Sequence, residues 1–412
     1  MANLALCGGV PVTTTPIKSL PWPPVNAATG ERLKELYLSR QWSFNSPTEQ
    51  EFEREFAAFS GAKHGIFMVN GTVTLEAALS VLGVGPGDEV IVPALTWMAT
   101  AMAAHYVGAT PVFVDIEPTT LCLDPIKFEQ AITPKTKAVI PVHLYGGMAD
   151  LDRITAIARA HHIAVVEDCA HMQGGFWNGK GAGATGDIGS FSFQQSKTIA
   201  SGEGGICITS DDELADRLYR FKHIGYSRNS AQGKAQAGPP PGLCCHNYRG
   251  TAFPALILRD QLQALPQLID TYNRNAATIT RALSGVEGVR IQSQGAKADP
   301  QGYYGFVMIF DRGPMRDIPL GDLLAALNAE GLPSCGTYGP VYRHILYNMA
   351  PTQYRIAGGS CPVAENITTK NSVVLMHWLL GAEEKDIAKI GVIVKKVITN
   401  IGELRNYVPA VK

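Results

Sequence analysis

The sequence predicts an α/β fold in which a largely parallel sheet is flanked by helices and followed by a smaller C-terminal α+β domain. Two observations lead to this prediction. Short apolar runs alternate with segments of helical spacing from residue 65 to residue 167, and a loop rich in glycine, proline and serine then follows over 226–246. Strands that alternate with helices form right-handed βαβ units, and these units build parallel sheets.

The elements follow from local patterns taken in chain order. The segment 48–51 (TEQE) is typical of a capping box, and Phe52, Phe56 and Phe59 follow it at helical spacing until Gly61. In the first half of the chain, the patterns predict strands over 65–69, 89–92, 111–115, 137–142 and 163–167, and helices over 72–83, 98–107, 124–132 and 150–162. The second half predicts helices over 255–285, 319–330 and 383–399 and a strand over 303–310.

These patterns divide the chain into three parts. An N-terminal arm is expected over 1–25, a large ligand-binding domain over 26–254 with an active-site loop at 226–250, and a small C-terminal domain over 255–412. The first residues lack the basic segment of a signal peptide, so we expect an arm there and not a leader.

Composition excludes several classes of function. The 412 residues carry a net charge of −1, so no excess of charge indicates a nucleic-acid or membrane partner. No apolar run reaches the roughly 18 residues of a spanning helix. The eight cysteines are scattered without the spacing of a zinc site, which favours reduced thiols in the cytoplasm and no bound metal.

Polar or aromatic residues follow several predicted strands directly. They are the segment 70–72 (NGT), Trp97, His143, Asp168 and Lys197. Ligands of open parallel sheets bind beyond the carboxyl ends of the strands, so we expect these residues to share one edge.

Two of these residues indicate a specific chemistry. Lys197 lies in FSFQQSKTIASGEGG (191–205), where hydroxyl groups surround a single amine that could attack a carbonyl. Asp168 ends a strongly apolar strand, and a carboxylate buried there requires a cationic partner such as a protonated ring nitrogen. Gly71 and Thr72 begin a helix whose amide groups can bind an anion, and Trp97 could stack on a flat ring.

In combination these residues resemble a known family. The chain is similar to the DegT/DnrJ/EryC1/StrS family of pyridoxal-phosphate (PLP) aminotransferases from about residue 20 to about residue 405. The segments that carry the resemblance are FEREFAAFSGAKHGIFMVNGT, GPGDEVIVPALTWMAT, VEDCAHMQGG, FSFQQSKTIASGEGG and HNYRGTAFPALILRDQL. The resemblance implies the fold type I of PLP-dependent transferases, with a sheet of the seven-stranded type.

The resemblance also implies individual roles. Lys197 would hold PLP as a Schiff base, Asp168 would pair with the pyridinium nitrogen, and Trp97 would stack on the ring. Gly71 and Thr72 would bind the phosphate.

Three further cofactor roles come from the resemblance alone. Ser192 would add a hydroxyl to the phosphate site, and Asn247 would reach the phosphate from a neighbouring subunit, which makes the active form a homodimer with shared sites. His171 stands where many members have glutamine near the 3′-oxygen of PLP.

The form EDCAH, together with CPVAE (361–365) and VVLMHWLLG (373–381), resembles the branch of scyllo-inosose aminotransferases and 3-amino-5-hydroxybenzoate (AHBA) synthases. In that branch we expect the substrate to contact Arg249, Tyr342, Arg343, His344 and His377.

The function implied is a ping-pong transamination from L-glutamine or L-glutamate to a cyclic ketone such as a ketocyclitol, in secondary-metabolite biosynthesis. Three alternatives stay open at this point. They are an AHBA-synthase-like dehydration and aromatisation, transamination of a nucleotide ketosugar, and a PLP-binding regulator without catalytic activity. Lysine at position 197 argues against the dehydratases of the family, which carry histidine there.

Overall fold

The computed structural model describes residues 3–231, 233–235, 237–310, 317–370 and 372–407, with the side chains of 368–370 excepted. The helices are α1 (Ala27–Ser39), α2 (Pro47–Ser60), α3 (Gly71–Val81), α4 (Ala99–Tyr106), α5 (Pro125–Ala131), α6 (Leu151–Ala160), α7 (Asp212–Lys222), α8 (Ala252–Leu283), α9 (Leu320–Ala329), α10 (Pro362–Lys370), α11 (His377–Leu380) and α12 (Glu384–Thr399). The strands are β1 (His64–Met68), β2 (Glu89–Pro93), β3 (Thr110–Val114), β4 (Thr136–Val139), β5 (Ala164–Asp168), β6 (Phe176–Trp177), β7 (Lys180–Gly181), β8 (Ile188–Ser192), β9 (Gly205–Thr209), β10 (Val289–Ile291), β11 (Gly305–Phe310), β12 (Cys335–Gly336), β13 (Arg355–Ile356) and β14 (Ser372–Met376).

A large sheet with the order β1-β9-β8-β5-β4-β2-β3-β13 forms the centre of the molecule. Neighbours from β8 to β13 pair in parallel, and β9 pairs antiparallel with both β1 and β8. The prediction of a largely parallel sheet flanked by helices is therefore confirmed. The two-residue strand β13 extends this sheet from the C-terminal part of the chain, and no sequence pattern predicted it.

A second, smaller sheet has the order β10-β11-β14-β12 and is antiparallel throughout. It packs with α8, α9 and α12 around a buried apolar cluster, as expected for a C-terminal α+β unit. The N-terminal arm lies against the same unit, because Ile17 N donates to Gly331 O and Leu20 N donates to Trp378 O.

The start of α2 differs from the sequence prediction. The capping residue is Ser46, whose hydroxyl accepts from the backbone amide of Glu49, and Pro47 occupies the first helical position. The capping box predicted at 48–51 is therefore wrong by two residues. A proline needs no amide partner in the first turn, so Ser46-Pro47 is the better helix start.

The long helix α8 begins at Ala252, so its first turn contains the expected boundary between the two domains. Along the described ranges, every helix is too short or too polar to cross a lipid bilayer.

Candidate active site

A cavity of about 580 Å³ opens at the carboxyl ends of the central strands. The strands β1, β2, β5 and β8 each deliver residues to it from the segments that follow them. Its lining includes eight residues expected from the sequence, namely Asn70, Gly71, Thr72, Trp97, Asp168, His171, Ser192 and Lys197. The structure thus brings these eight residues together at one edge of the sheet, whereas His143, which was expected at the same edge, is not among the lining residues.

The first turn of α3 forms a narrow cradle against the end of β8. Asn70 caps the helix, and its Oδ1 accepts from the amides of Thr72 and Val73 at 3.0 Å each. A Cβ atom at Gly71 would lie 2.6 Å from the Cβ of Ser192, so only glycine fits without displacing backbone. The start of α3, the close approach at Gly71 and the hydroxyl of Ser192 together resemble the anion sites that form at helix N-termini.

Asp168 ends β5 as a buried carboxylate. Its Oδ2 accepts from Thr100 Oγ1 at 2.8 Å, and its Oδ1 accepts from the Ala170 amide at 3.1 Å. Burial raises the pKa of Asp168, and these two donors and the Lys197 amine offset only part of that rise. The carboxylate would therefore be stabilised by a cation that entered the cavity.

Lys197 extends from the segment after β8 and is half-buried. Burial lowers its pKa to about 8, although Asp168 acts in the opposite direction. At pH 7 about a tenth of the amine is thus uncharged and able to attack a carbonyl, far more than for a lysine with its ordinary pKa. The amine lies over the ring of Tyr304, 4.5 Å from the ring centroid.

His171 is buried beside this amine. Its ring stacks on Tyr304, with centroids 3.8 Å apart and planes inclined by 19°. Its Nδ1 accepts from the backbone amide of Tyr145 at 3.4 Å, which leaves the ring proton on Nε2. Burial holds the pKa of His171 well below its usual value, and Lys197 adds to this effect, so the imidazole is neutral.

Trp97 lies at the mouth of the cavity with 44% of its surface exposed. Its ring is 5.5 Å from the ring of Tyr338 and 6.1 Å from that of His344. An exposed aromatic ring beside a polar cavity can cover one face of a planar ligand.

Other residues expected from the sequence lie outside the cavity lining of the single chain. Asn247 is exposed and pairs through its backbone with His223. Arg249 is half-buried, and its guanidinium lies 5.6 Å from the ring centroid of Phe44. The chain alone therefore does not bring these two residues to Lys197.

The remaining expected substrate residues also lie behind or beside the cavity lining. Tyr342 donates to Glu365 at 2.6 Å, and Arg343 forms an ion pair with the same carboxylate at 2.8 Å. His344 Nδ1 accepts from the Leu346 amide. None of these three residues is among those that line the cavity, and local partners hold their polar groups, so their contact with substrate stays a prediction.

His377 is buried against the loop that carries Lys197. Its Nε2 donates to Ser196 O at 2.9 Å, and its Nδ1 accepts from Tyr272 Oη at 3.1 Å. Burial lowers the pKa of His377 to about 4. It therefore supports the loop as a neutral side chain and does not line the cavity.

His143, Glu167 and Cys169 form a compact buried group below the site, close enough for one metal ion. Glu167, however, already accepts from the amides of Gly183, Thr185 and Gly186, and from His143 Nε2. This group therefore has a structural explanation, in which the carboxylate anchors a loop.

Sequence reasoning missed Tyr304, which lies beside the Lys197 amine, and Thr100, which donates to Asp168. Tyr304 lies in an apolar strand-like run, and Thr100 lies within a helix, so neither differs from a core residue in pattern. Only the packing of the small sheet against the Lys197 loop brings Tyr304 under the amine.

Comparison with known proteins agrees with this geometry. The model of the DegT/DnrJ/EryC1/StrS aminotransferase family matches residues 26–394. The chain belongs to this family.

Two curated relatives are named L-glutamine:2-deoxy-scyllo-inosose aminotransferase. The one from Streptoalloteichus tenebrarius is 36% identical over 425 residues, covering 98% of this chain and 99% of the relative. The one from Micromonospora echinospora is also 36% identical, covering 98% of this chain and all of the relative. This family member is thus an enzyme, an aminotransferase of fold type I.

The crystal structure of an AHBA synthase superposes with a TM-score of 0.83 at 30% identity, covering 95% of this chain and all of that one. The expected branch of the family is thereby confirmed.

Proposed function

We propose that this aminotransferase uses PLP to move an amino group from L-glutamine or L-glutamate to a ketocyclitol. The observation that carries the proposal is the pair of Lys197 and Asp168 in one cavity, the first with a lowered and the second with a raised pKa. Each group is held in a medium that favours its neutral form, and a ligand with a carbonyl and a cationic ring nitrogen would complement both.

The described residues fit PLP. Gly71 and Ser192 form a cradle in which an added Cβ atom would clash, and this is expected where a phosphate approaches backbone. Thr72 would contribute its hydroxyl, because Asn70 already uses its amide. Trp97 and His171 would lie beside the ring and its 3′-oxygen. When bound, PLP supplies an electron sink and stores the amino group between the two half-reactions.

The chain's own residues would then do three things. Lys197 would bind the cofactor through its amine and, once released, move a proton at the donor α-carbon as base and acid. Asp168 would hold the ring nitrogen in its protonated state. Thr100 would fix the carboxylate through its hydrogen bond to Oδ2.

We propose further that the active form is a homodimer, in which Asn247 and Arg249 serve the site of the other subunit. Among the described residues that line the cavity, Lys197 is the one lysine or arginine, and the cofactor would occupy its amine, so the carboxylate of an amino-acid donor would lack a cation there. Arg249, two residues after Asn247 in the chain, is the residue that we propose to bind this carboxylate in the site of the other subunit. The division into an arm (1–25), a large domain (26–254) and a small domain (255–412) is part of the same proposal.

A cytoplasmic location is also proposed, because all eight cysteines are unpaired. Tyr342, Arg343, His344 and His377 are proposed to shape the substrate side of the cavity from behind its lining.

The acceptor is proposed to be an uncharged ring ketone such as a scyllo-inosose. The relatives' names support this, and so does a lining of serine, threonine and tyrosine hydroxyls in which no arginine occurs among the described residues. A nucleotide ketosugar would bring a diphosphate, for which this lining offers no cationic partner. An AHBA-synthase-like reaction is the second candidate, favoured by the structural similarity to that enzyme.

The test is the visible spectrum of the PLP-loaded protein before and after L-glutamine is added. We expect a visible band that glutamine converts to that of the aminated cofactor, and that a ketocyclitol restores. Lys197→Ala should lose the band and turnover, whereas Lys180→Ala, at an exposed lysine, should keep both. A band that no amino acid changes would contradict transamination and favour the AHBA-type reaction.

A further inference from the structure

The small C-terminal unit holds the loop of the proposed catalytic lysine through Ser196 and Thr198, the residues on either side of Lys197. Ser196 O accepts from His377 Nε2 at 2.9 Å, and Ser196 Oγ is 3.0 Å from Tyr304 Oη. Thr198 Oγ1 donates to Tyr303 O at 3.1 Å. The chain on both sides of Lys197 is thus fixed by the two residues that precede β11 and by the first residue of α11.

The amine itself lacks comparable polar support. Among the described residues, no carboxylate lies within ion-pair distance of Lys197 Nζ, and its contact with the face of the Tyr304 ring is at 4.5 Å from the centroid. A cation over an aromatic face is attracted by the ring quadrupole, most strongly where water is excluded. Tyr304 is buried, with 6% of its surface exposed, and it lines the cavity beside the amine, so little of this face meets bulk water.

The ring of Tyr304 cannot turn away from the amine. Its other face stacks on His171 at 3.8 Å, and its hydroxyl is tied to Ser196. The two neighbours therefore fix the plane of the ring beneath the amine. His171 is neutral, so it does not compete as a cation for the same ring.

We propose that Tyr304 is a positioning residue, whose ring face binds the protonated Lys197 amine whenever this amine is not covalently engaged. This inference rests on the proposed role of Lys197, and nothing in that role requires an aromatic residue at position 304. The ring would keep the free amine close to the place where it collects a proton and returns it. It would also stabilise the charged form, and so oppose the effect of burial.

The test measures Lys197 in the full-length chain freed of carbonyl ligands, and therefore does not depend on turnover. The rate at which a small acylating reagent modifies Lys197 is followed against pH by peptide mass spectrometry. The wild-type midpoint should lie near pH 8, the pKa that burial gives Lys197. Tyr304→Phe keeps the ring and should leave the midpoint within about a few tenths of a unit, because the contact is made by the ring face.

The decisive comparison uses fluorinated phenylalanines in place of Tyr304. Fluorine withdraws electron density from the ring face with little change in shape, so the attraction for a cation weakens. The midpoint should fall stepwise with fluorine number, by about one unit for the trifluoro ring relative to Tyr304→Phe. A midpoint that ignores fluorination would overturn the proposal.

Two controls separate the possible failures. Fluorinated phenylalanine in place of Tyr303, whose ring is not under the amine, should leave the Lys197 midpoint unchanged. A parallel drop there would also overturn the proposal, because the effect would then be general. Failure of glutamine to aminate the cofactor would contradict the proposed function. It would not change the pH midpoints of Lys197 acylation in the fluorinated variants, so failure of the function and failure of this inference are distinguishable.

Discussion

The cradle between α3 and β8 gives a quantitative prediction for Gly71→Ala. The new Cβ atom would lie 2.6 Å from Ser192 Cβ, 3.1 Å from Ser192 Cα and 3.2 Å from Ser192 Oγ. A comfortable contact between two carbon atoms needs roughly 3.5–4.0 Å. The helix start and the strand end must therefore separate by about an ångström, and these two elements are the walls of the proposed phosphate site.

The cost follows from what overpacking does elsewhere. Inserting a methyl group into a packed site costs about 1–3 kcal/mol. Without a phosphate, the Gly71→Ala protein can relieve the close contact with Ser192 by moving the helix start away from the strand end. Phosphate binding requires the closed cradle, so the free-energy cost of the contact appears as weaker PLP binding. Since a tenfold change in affinity corresponds to about 1.4 kcal/mol, PLP binding should weaken roughly 5- to 150-fold.

Titration of the visible cofactor band would measure this effect in a double-mutant cycle. Ser192→Gly removes both the clashing Cβ atom and a hydroxyl, so it should weaken binding alone, and adding Gly71→Ala should then cost little more. Gly30→Ala is the matched control, since nothing lies within 4 Å of a Cβ atom there, and it should leave binding unchanged. If Gly71→Ala cost as much in the Ser192→Gly background as in the wild type, steric contact would be refuted as the cause.

Two further variants test the buried charges. Lys222→Met should destabilise the fold by about 3–5 kcal/mol, because Lys222 Nζ donates to buried Glu49 at 2.8 Å and Glu53 at 2.7 Å. Burial already raises the pKa of Glu49, so loss of the lysine should destabilise less at acid pH, where the carboxylates are neutral, and more as pH rises; urea unfolding at pH 5 and pH 8 checks this order. Thr100→Val removes a donor to Asp168 and should raise the pKa of Asp168 further. As the pH is lowered, PLP binding by this variant should therefore begin to weaken at a higher pH than binding by the wild type. An unchanged pH profile of PLP binding would contradict this.

The fold and half of the site could be predicted because their signals are local. Strand ends carry Asp168 and Lys197, and the helix start carries Gly71, so each position follows from a few neighbouring residues. Tyr304 could not be predicted in this way, because its role depends on packing between the small sheet and a loop far earlier in the chain. The two-residue strand β13 was missed for the same reason, since its pairing with Val112 and Phe113 is set by tertiary contacts.

The adjacent carboxylates of β5 show most clearly what sequence leaves undecided. Glu167 and Asp168 are both buried, and because neighbouring side chains of a strand point to opposite faces, one faces a loop and the other faces the cavity. Burial alone would raise the pKa of both. His143 and three backbone amides reverse that effect for Glu167 and lower its pKa, whereas one hydroxyl and one amide do not do so for Asp168.

The donors around Glu167 are therefore sufficient to stabilise its carboxylate as a buried anion, whereas those around Asp168 are not. Asp168 lacks a cationic partner and lies in the same cavity as Lys197, whose amine has a lowered pKa. A ligand that brings a cation to Asp168 and a carbonyl to Lys197 would stabilise the carboxylate and engage the amine at once. The unequal number of donors on two neighbouring carboxylates is thus what distinguishes the structural residue from the one proposed for catalysis.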